Sequence, residues 1–318
     1  MGDLKKRLRR HIDRLVASTV IRGSQQGESH GGLYLIDLGR RGVRPLLDWN
    51  TPEIEWYGNG GDRGLRGIAT DADTLYVAAS DRLLAYSPTM ELLDTWQNPY
   101  LKHCQEIAIW QRTLYIVSAG YDCILGFDLD ERRFHWALHV RRAGYQFGGN
   151  IFDPMSDDGP MLLEKLRLNS LYCNENGMYI TGLKTGGMLH FNGAAVNMAV
   201  QLPDNTNNVR PFRDGVIFND NEDNVLRYTG RGEGAEDRGM PVPESDREKL
   251  SMVEAIDDGI VQAGFAKGLC VINDHVVAGG SSPATITLHD LAANKTMGSV
   301  TFSNDARETI HSIAPWPY

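Results

Sequence analysis

A pair of apolar segments recurs along the chain at a constant spacing. In RGIATDADTLYVAAS (66–80), Ile68 is followed seven positions later by the apolar run that begins at Leu75, with a polar turn between them. The same offset of seven joins four further pairs, Ile107 with Leu114, Leu171 with Met178, Val209 with Val216, and Leu269 with Val276. Short apolar runs bounded by turn residues indicate strands, so each pair predicts two strands and a tight turn.

A third apolar segment follows each pair and ends in a residue that favours turns. These closing residues are Ser87, Asp128, Asn192, Thr229 and Asp290. Their side chains hydrogen-bond to nearby backbone groups and can start a hairpin turn. A unit of about 40 residues with three or four short strands is typical of a propeller blade. The sequence therefore predicts an all-β propeller, in which blades pack on one another because one blade cannot bury both faces of its sheet.

The sixth blade is split between the two ends of the chain. TIHSIAPWPY (309–318) has the pattern of a first strand with Ile313 as its apolar anchor, and STVIRGS, GLYLID and VRPLLDW near the N-terminus supply the other strands. Pairing of the two ends would remove exposed sheet edges. We predict one closed six-bladed β-propeller over 17–318, with insertions at 141–165 and 231–262. The alternatives are a β-sandwich with coincidental spacing and a seventh blade within the second insertion.

The first sixteen residues have a helical pattern. Leu4, Leu8, Ile12, Leu15 and Val16 share one side of a helix, and Lys and Arg residues cover the rest. We therefore expect a short amphipathic helix over 1–16. A basic helix of this kind binds anionic membranes, but the absence of Trp and Phe from the stripe favours packing on the acidic propeller or on a second subunit of a homo-oligomer.

Composition and charge exclude several classes of protein. The chain has 318 residues and a formal net charge of -9, which argues against a nucleic-acid partner. No apolar run approaches the roughly 18 residues of a membrane span, and the charged start lacks the apolar stretch of a secretion signal. Cys104, Cys123, Cys173 and Cys270 fit no zinc-site spacing, so we expect buried thiols in a reducing cytoplasm.

Six polar residues lie two positions before the six anchors. They are Arg66, Gln105, Asn169, Asn207, Lys267 and His311. Because side chains alternate along a strand, each shares its side with the anchor and opens toward the mouth of the central channel. Lys267, His311 and Arg66 come from consecutive blades and predict a cationic arc, suited to a carboxylate or phosphate. The three amides face it, suited to hydroxyls. The alternative is that all six bond to channel waters and to one another.

Two units, RLNSLYCNENGMYITG and RGIATDADTLYVAAS, resemble blades of the six-bladed senescence-marker-protein, gluconolactonase and strictosidine-synthase-like propellers. The resemblance implies a divalent metal held by acidic and amide residues at comparable positions, which Asn169 and Asn207 match. The other four ring positions carry no carboxylate, so a metal there would be weakly held. The C-terminal block GFAKGLCVINDHVVAGGSSPATITLHDL is similar to a family of uncharacterised bacterial propeller proteins. That similarity implies no activity.

Histidines supply the other candidate chemistry. His103 lies two residues before Gln105 and, with His311, provides two imidazoles for a transition metal. Propellers similar to the arylsulfate sulfotransferases use a channel histidine as nucleophile, a role that His311 beside Arg66 and Lys267 matches. We expect His190 and His289, in third strands, to be structural.

The two insertions are predicted to lie on the same face as the six polar residues. Long loops beside a pocket often act as lids, and Tyr145, Phe147 and Phe152 would supply apolar contacts to a ligand. The alternatives are surface decoration and an oligomer contact. Loops between second and third strands add a second tier of candidates, namely His30, Asp122, Lys184, Asp220 and Ser281.

Three functional hypotheses follow. The first is an enzyme acting on a small anionic, sugar-derived metabolite by hydrolysis, lyase chemistry or group transfer. In this enzyme, His311 is the acid/base or nucleophile, and Arg66 and Lys267 hold the anionic group of the substrate. Three amides, Gln105, Asn169 and Asn207, orient the remainder of the substrate. The second is a non-catalytic scaffold that binds a ligand or a partner protein. The third is a metal-dependent enzyme with His103 and His311 as ligands.

Overall fold

Strands account for nearly all the regular structure. The computed structural model describes residues 12–40, 42–51, 63–243, 246–253 and 265–318. The described strands are β1 (Arg14–Ile21), β2 (Gly32–Asp37), β3 (Gly42–Asp48), β4 (Ile68–Asp71), β5 (Thr74–Ala78), β6 (Arg82–Tyr86), β7 (Leu92–Gln97), β8 (Cys104–Trp110), β9 (Thr113–Ser118), β10 (Cys123–Asp128), β11 (Arg133–Ala143), β12 (Gln146–Phe152), β13 (Leu168–Asn174), β14 (Gly177–Gly182), β15 (Gly187–Phe191), β16 (Val196–Gln201), β17 (Thr206–Phe212), β18 (Gly215–Asp220), β19 (Val225–Thr229), β20 (Asp237–Pro241), β21 (Ala266–Val271), β22 (Val276–Ser281), β23 (Thr285–Asp290), β24 (Lys295–Thr301) and β25 (Glu308–Pro315). One short 3-10 helix, Arg247–Lys249, joins them.

The strands form six antiparallel sheets, which are the blades of a propeller. Blade 1 is β4–β7, blade 2 is β8–β12, blade 3 is β13–β16, blade 4 is β17–β20, blade 5 is β21–β24, and blade 6 is β25 followed by β1–β3. The innermost strands β4, β8, β13, β17, β21 and β25 each lie against the next one round the ring. The prediction of an all-β six-bladed propeller is therefore confirmed.

Blade 6 joins the N-terminal strands to the C-terminal strand. β25 pairs antiparallel with β1, from Leu15 opposite Pro315 to Ile21 opposite Glu308, with one bulge between Ser18 and Thr19. A further backbone bond runs from the N–H of Trp316 to the carbonyl of Arg14 at 3.0 Å. The split blade predicted from the sequence is present.

The predicted N-terminal helix over 1–16 is wrong where the structure describes it. β1 begins at Arg14, and Leu15 and Val16 are buried in that strand, facing two different apolar clusters. A strand buried on both faces has a continuous apolar run, which continued the helical stripe by coincidence. The described residues contain no α-helix. Residues 1–11, with Leu4 and Leu8, lie outside the described part of the chain.

The prediction of a closed propeller is also wrong. The six sheets are separate, and in the described residues no hydrogen-bonded sheet continues from one blade into the next. Packing holds the ring together instead. All six anchors are at most 6% exposed, and each apolar cluster draws on neighbouring blades. Side-chain burial between blades, rather than shared strand pairing, therefore stabilises the ring.

Both predicted insertions contain strands. The first continues β11 and adds β12 as a fifth, outermost strand of blade 2, and the second contains β20, the outer strand of blade 4. Tyr145 lies fully exposed at the turn between β11 and β12. Phe152 packs on Tyr100, with 5.0 Å between ring centres, and Phe147 packs on the cluster between blades 2 and 3. These three aromatic residues therefore lie at the outer edge of the propeller.

No helix among the described residues is both long and apolar enough to cross a membrane.

Gly67 lies where the backbones of blades 1 and 2 approach each other closely, and its replacement by alanine should be destabilising. A Cβ at Gly67 would lie 2.6 Å from the carbonyl oxygen of Gln105 and 2.7 Å from the nitrogen of Ile107. Both are backbone atoms, so the blades would have to separate. We expect Gly67→Ala to lower the free energy of unfolding by about 1–3 kcal/mol, as overpacking does elsewhere. Urea unfolding measures this loss.

The control for this prediction is Gly42→Ala in β3, where an added Cβ would meet nothing within 4 Å. Gly42→Ala should leave the unfolding midpoint unchanged or raise it slightly. Equal midpoints for Gly67→Ala and wild type would contradict the close approach of the two blades.

Candidate functional site

A cavity of about 610 Å³ opens where the innermost strands begin. Its volume is in the range of small-molecule sites. The charged residues that line it are Arg22, Arg167, Lys267 and Glu164. The amides that line it are Gln105, Asn169, Asn205, Asn207 and Asn221, and apolar surface comes from Ala119, Leu168, Leu183 and Phe265. The described lining therefore carries three permanent cations and one carboxylate.

The structure brings the six predicted ring residues to one end of the channel but at two depths. Gln105, Asn169, Asn207 and Lys267 line the cavity. Arg66 and His311 lie behind its wall, at 2% and 4% exposure. The cationic arc predicted from the sequence therefore presents only Lys267 to a ligand directly.

Gln105 connects three blades across the channel mouth. Its Oε1 accepts a hydrogen bond from Lys267 Nζ of blade 5 at 3.0 Å and from His311 Nε2 of blade 6 at 3.1 Å. Its Nε2 donates to the carbonyl of His103 at 3.1 Å. Blades 2 and 5 are opposite each other in the ring, so the Gln105 and Lys267 side chains meet over the channel. They form the floor of the cavity.

His311 is a neutral imidazole. Burial lowers its pKa well below the usual value, and the nearby charges of Lys267, Arg66 and Arg22 lower the pKa further. Lysine only donates, so the Gln105 atom that it contacts is the carbonyl oxygen, and His311 Nε2 must carry the proton that bonds to that oxygen. Nδ1 is then deprotonated, and it has no hydrogen-bond partner among the described residues.

Arg66 fastens blade 1 to its neighbours. Its Nη1 donates to the carbonyl of Cys104 in blade 2 at 2.8 Å, and its own carbonyl accepts a bond from Ser18 Oγ of blade 6. These contacts are structural, and the nearby charge of Arg66 helps to lower the pKa of His311.

The amides that line the cavity also connect neighbouring blades. Asn169 Nδ2 donates to the carbonyl of Thr206 at 2.9 Å and to Asn207 Oδ1 at 3.0 Å, which joins blade 3 to blade 4. Asn221 donates to the carbonyl of Ala266 at 3.1 Å and accepts from its N–H at 2.7 Å, which joins blade 4 to blade 5. Much of the hydrogen-bonding capacity of the predicted amide arc is therefore used within the protein.

Nine of the thirteen lining residues were not identified from the sequence. Four of the nine lie in the connections between blades, namely Arg22, Phe265, Glu164 and Arg167. Arg22 directly follows β1, and Phe265 directly precedes β21. The guanidinium carbon of Arg22 lies 4.7 Å above the centre of the Phe265 ring. Glu164 and Arg167 belong to the connection from blade 2 to blade 3. Glu164 Oε1 lies 3.7 Å from Arg167 Nε and 3.6 Å from His103 Nδ1. Connections between blades have no periodic pattern, so the repeat gave no signal for these side chains.

Backbone contacts fix the connection that carries Glu164. The N–H groups of Leu163 and Glu164 donate to the carbonyl of Gly120 at 3.2 and 3.1 Å. Asp122 Oδ2 accepts the N–H of Leu166 at 2.8 Å. Asp122, a second-tier candidate, therefore holds the cavity rim in place. Neither it nor the other members of that tier lines the cavity: His30, Lys184, Asp220 and Ser281.

A buried ion pair that alternation along a strand did not predict lies beside the cavity rather than in its lining. Glu106, next to Gln105, accepts from Arg210 Nη2 at 2.8 Å and from the N–H of Leu171 at 3.0 Å. The register of β8 shifts between Cys104 and Ile107, so the strand bulges there. A bulge breaks the two-residue period. Consecutive side chains, Gln105 and Glu106, can therefore both reach other blades.

The predicted pair of metal ligands has separate partners. His103 Nδ1 faces Glu164, whereas His311 Nε2 is bonded to Gln105. In the described part of the chain, no group of three or more His, Cys, Asp or Glu residues is arranged to hold a metal ion. The donor set therefore gives no support to a metal site at His103 and His311.

Comparisons with known proteins find similarity of fold only. No protein-family model and no curated protein matches the chain. The computationally designed Ika8 protein is 11% identical at a TM-score of 0.49, covering 93% of this chain and 89% of that one. Apo AztD from Citrobacter koseri is 10% identical at 0.48, covering 92% and 82%. The WD40 repeats of RRP9 are 12% identical at 0.47, covering 74% and 63%. These likenesses carry no functional argument, and the resemblance to the gluconolactonase group stays a prediction.

Proposed function

We propose that the protein is a non-catalytic propeller that binds a small anionic metabolite in the cavity at the channel mouth. One observation carries the proposal: the described lining has three permanent cations and one carboxylate, in a chain whose formal net charge is -9. An excess of positive charge in a concave site of an acidic protein attracts anions locally. Lysine and arginine are the usual partners of carboxylates and phosphates.

The charged group of the ligand belongs near Lys267 and Arg22. These residues come from neighbouring blades 5 and 6, and both are close enough to His311 to lower its pKa. On the opposite side of the cavity, Glu164 partly neutralises Arg167. The geometry gives weaker support to a sugar-derived ligand with several hydroxyl groups. The side-chain amides of Asn169 and Asn221, which could bind hydroxyls, are hydrogen-bonded to neighbouring blades.

An enzyme of the hydrolase, lyase or group-transfer type is the second candidate. A neutral histidine, His311, lies one hydrogen bond behind the cavity and could act as an acid or base. Its imidazole does not line the cavity, and its Nε2 is bonded to Gln105, so binding alone has the better support. His311→Ala would abolish turnover and spare binding in an enzyme, whereas in a binding protein it would change affinity only.

We propose that the protein is located in the reducing cytoplasm. Cys104, Cys123, Cys173 and Cys270 are all free thiols, and burial raises the pKa of each. We propose no nucleic-acid partner, because the chain is acidic.

Replacing Lys267 tests the proposed function. Purified protein is first screened by thermal shift against inorganic phosphate, succinate and citrate, and against divalent metals with and without chelator. A ligand that binds only the folded state raises the melting temperature. Loss of a charge-assisted hydrogen bond should weaken binding of the stabilising anion about tenfold to a hundredfold in Lys267→Met. Calorimetric titration measures the affinity.

The matched control is Lys295→Met, the same change at an exposed position on the outer strand of blade 5. It should bind the anion like wild type. Equal affinities for the two variants would contradict an anion site at Lys267. Stabilisation by a metal that a chelator reverses would replace the proposal with a metal site.

A further inference from the structure

The hydrogen bonds at Gln105 form a directed chain. Both donors at its Oε1 come from other blades, His311 Nε2 at 3.1 Å and Lys267 Nζ at 3.0 Å. Two donors satisfy the two lone pairs of an amide oxygen. One N–H of its Nε2 donates to the carbonyl of His103 at 3.1 Å. The orientation of this amide is therefore determined by the protein before any ligand arrives.

We propose that His311 is a positioning residue that acts through Gln105 to hold the Lys267 ammonium in place. As a result, the cavity floor formed by Gln105 and Lys267 offers a ligand hydrogen-bond donors only. The inference rests on the proposed binding of an anion. With the Gln105 carbonyl already satisfied, a ligand cannot donate to it. The cavity floor therefore selects a deprotonated carboxylate or phosphate. It rejects the corresponding carboxamide, whose N–H groups would find no acceptor there.

The charges around His311 explain why a neutral donor is needed there. Lys267 faces it from β21, Arg66 from the segment before β4, and Arg22 from the segment after β1. On its own strand, the carboxylate of Glu308 accepts from Thr19 Oγ1 at 2.7 Å and from the Tyr34 hydroxyl at 3.1 Å. A lysine or arginine in place of His311 would add a fourth cation to this cluster. An imidazole supplies the hydrogen bond to Gln105 without the charge.

The first test needs no ligand. Nitrogen-15 NMR of the histidine rings distinguishes the two neutral tautomers, and the His311 signal is assigned by its loss in His311→Gln. We expect the Nε2–H tautomer, unchanged between pH 8 and pH 5.5. An Nδ1–H tautomer, or protonation of His311 within this range, would overturn the positioning role.

The second test measures affinity for the stabilising anion, with inorganic phosphate and succinate as probes. Deleting the donor in His311→Met should weaken binding about fivefold, the loss of one ordinary hydrogen bond. His311→Gln retains an N–H donor and should recover most of this loss. Succinate should bind more tightly than succinamide to wild type, and the preference should shrink in His311→Met.

The outcomes separate this inference from the proposed function. Should Lys267→Met lose binding while His311→Met binds like wild type, the anion site stands and the positioning role is overturned. If no probe binds wild type, the proposed function fails. The tautomer of His311 measured by NMR then tests on its own whether His311 donates to Gln105. Should His311→Met fail to fold, Gln105→Asn replaces it, since the shorter side chain breaks both bonds at the cavity floor.

Discussion

Replacing Glu106 by alanine is expected to lower the free energy of unfolding by about 3–5 kcal/mol, the cost of removing one partner of a buried ion pair. Glu106 of blade 2 accepts from Arg210 of blade 4 and from the N–H of Leu171 of blade 3, so a single carboxylate connects three blades. Alanine would leave the Arg210 guanidinium and the Leu171 N–H without this acceptor. Urea unfolding at pH 7, with the slope checked for constancy, measures the loss.

Two further variants show whether the charge or the hydrogen bond matters. Burial raises the pKa of Glu106, and the charge of Arg210 offsets this rise only in part. A neutral side chain of the same shape should therefore be less destabilising than alanine at this position. Glu106→Gln keeps an acceptor for Leu171 and should lose less than half as much stability as Glu106→Ala. Glu131→Ala breaks the exposed pair with Arg133 and should cost at most about 1 kcal/mol. A loss for Glu106→Ala no larger than that for Glu131→Ala would show that the buried pair does not stabilise the ring.

Acidification is expected to destabilise the protein through its buried histidines. His289 in blade 5 is 1% exposed, and burial lowers its pKa to about 4. The unfolded chain binds a proton at the ordinary histidine pKa of about 6.5. The contribution of neutral His289 to the free energy of unfolding is therefore fully present above that pH and is lost as the pH drops toward 4. His289 alone accounts for a loss of about 3 kcal/mol by pH 4, at about 1.4 kcal/mol per pH unit. His311, whose pKa is also lowered, adds to the loss in the same direction.

Unfolding curves at pH 7, 5.5 and 4.5 measure this dependence, and His289→Leu identifies its source. Leucine has no ionisable group and fills a similar buried space, so the variant should lose less stability on acidification than wild type. The difference between the two slopes is the quantity of interest, because the substitution also changes stability at every pH. Parallel slopes would place the acid sensitivity elsewhere.

The periodic parts of this protein could be predicted from its sequence, and the reason is physical. Each blade repeats the same problem of burying two faces, so an apolar anchor such as Ile107 or Leu171 recurs at the same offset. The first strands also lead to the channel mouth, which is why Gln105 and Lys267 were identified. Their direct bond was not foreseen, because it spans opposite blades and nothing in either blade's sequence encodes it.

The aperiodic parts could not be predicted in this way. Arg22 and Glu164 reach the cavity from connections, where the position of a side chain depends on how the backbone crosses the propeller face. Glu106 was overlooked because a bulge interrupts β8. Leu15 and Val16 were misassigned because a strand buried on both faces has no alternation to distinguish it from a helix. Each error arises where tertiary structure overrides a local pattern.

The pairing of β25 with β1 also has a consequence for how the molecule is made. In the order of synthesis β1, β2 and β3 precede the other described strands, yet their inner neighbour, β25, follows all of them. Until β25 is made, β1 lacks the strand that pairs with its inner edge, and contacts so distant in sequence are slow to form. His311 lies in that last strand, so the hydrogen bond to Gln105 can form only when the ring is complete. The cavity floor can therefore assemble only after the innermost strand of blade 6 has been made.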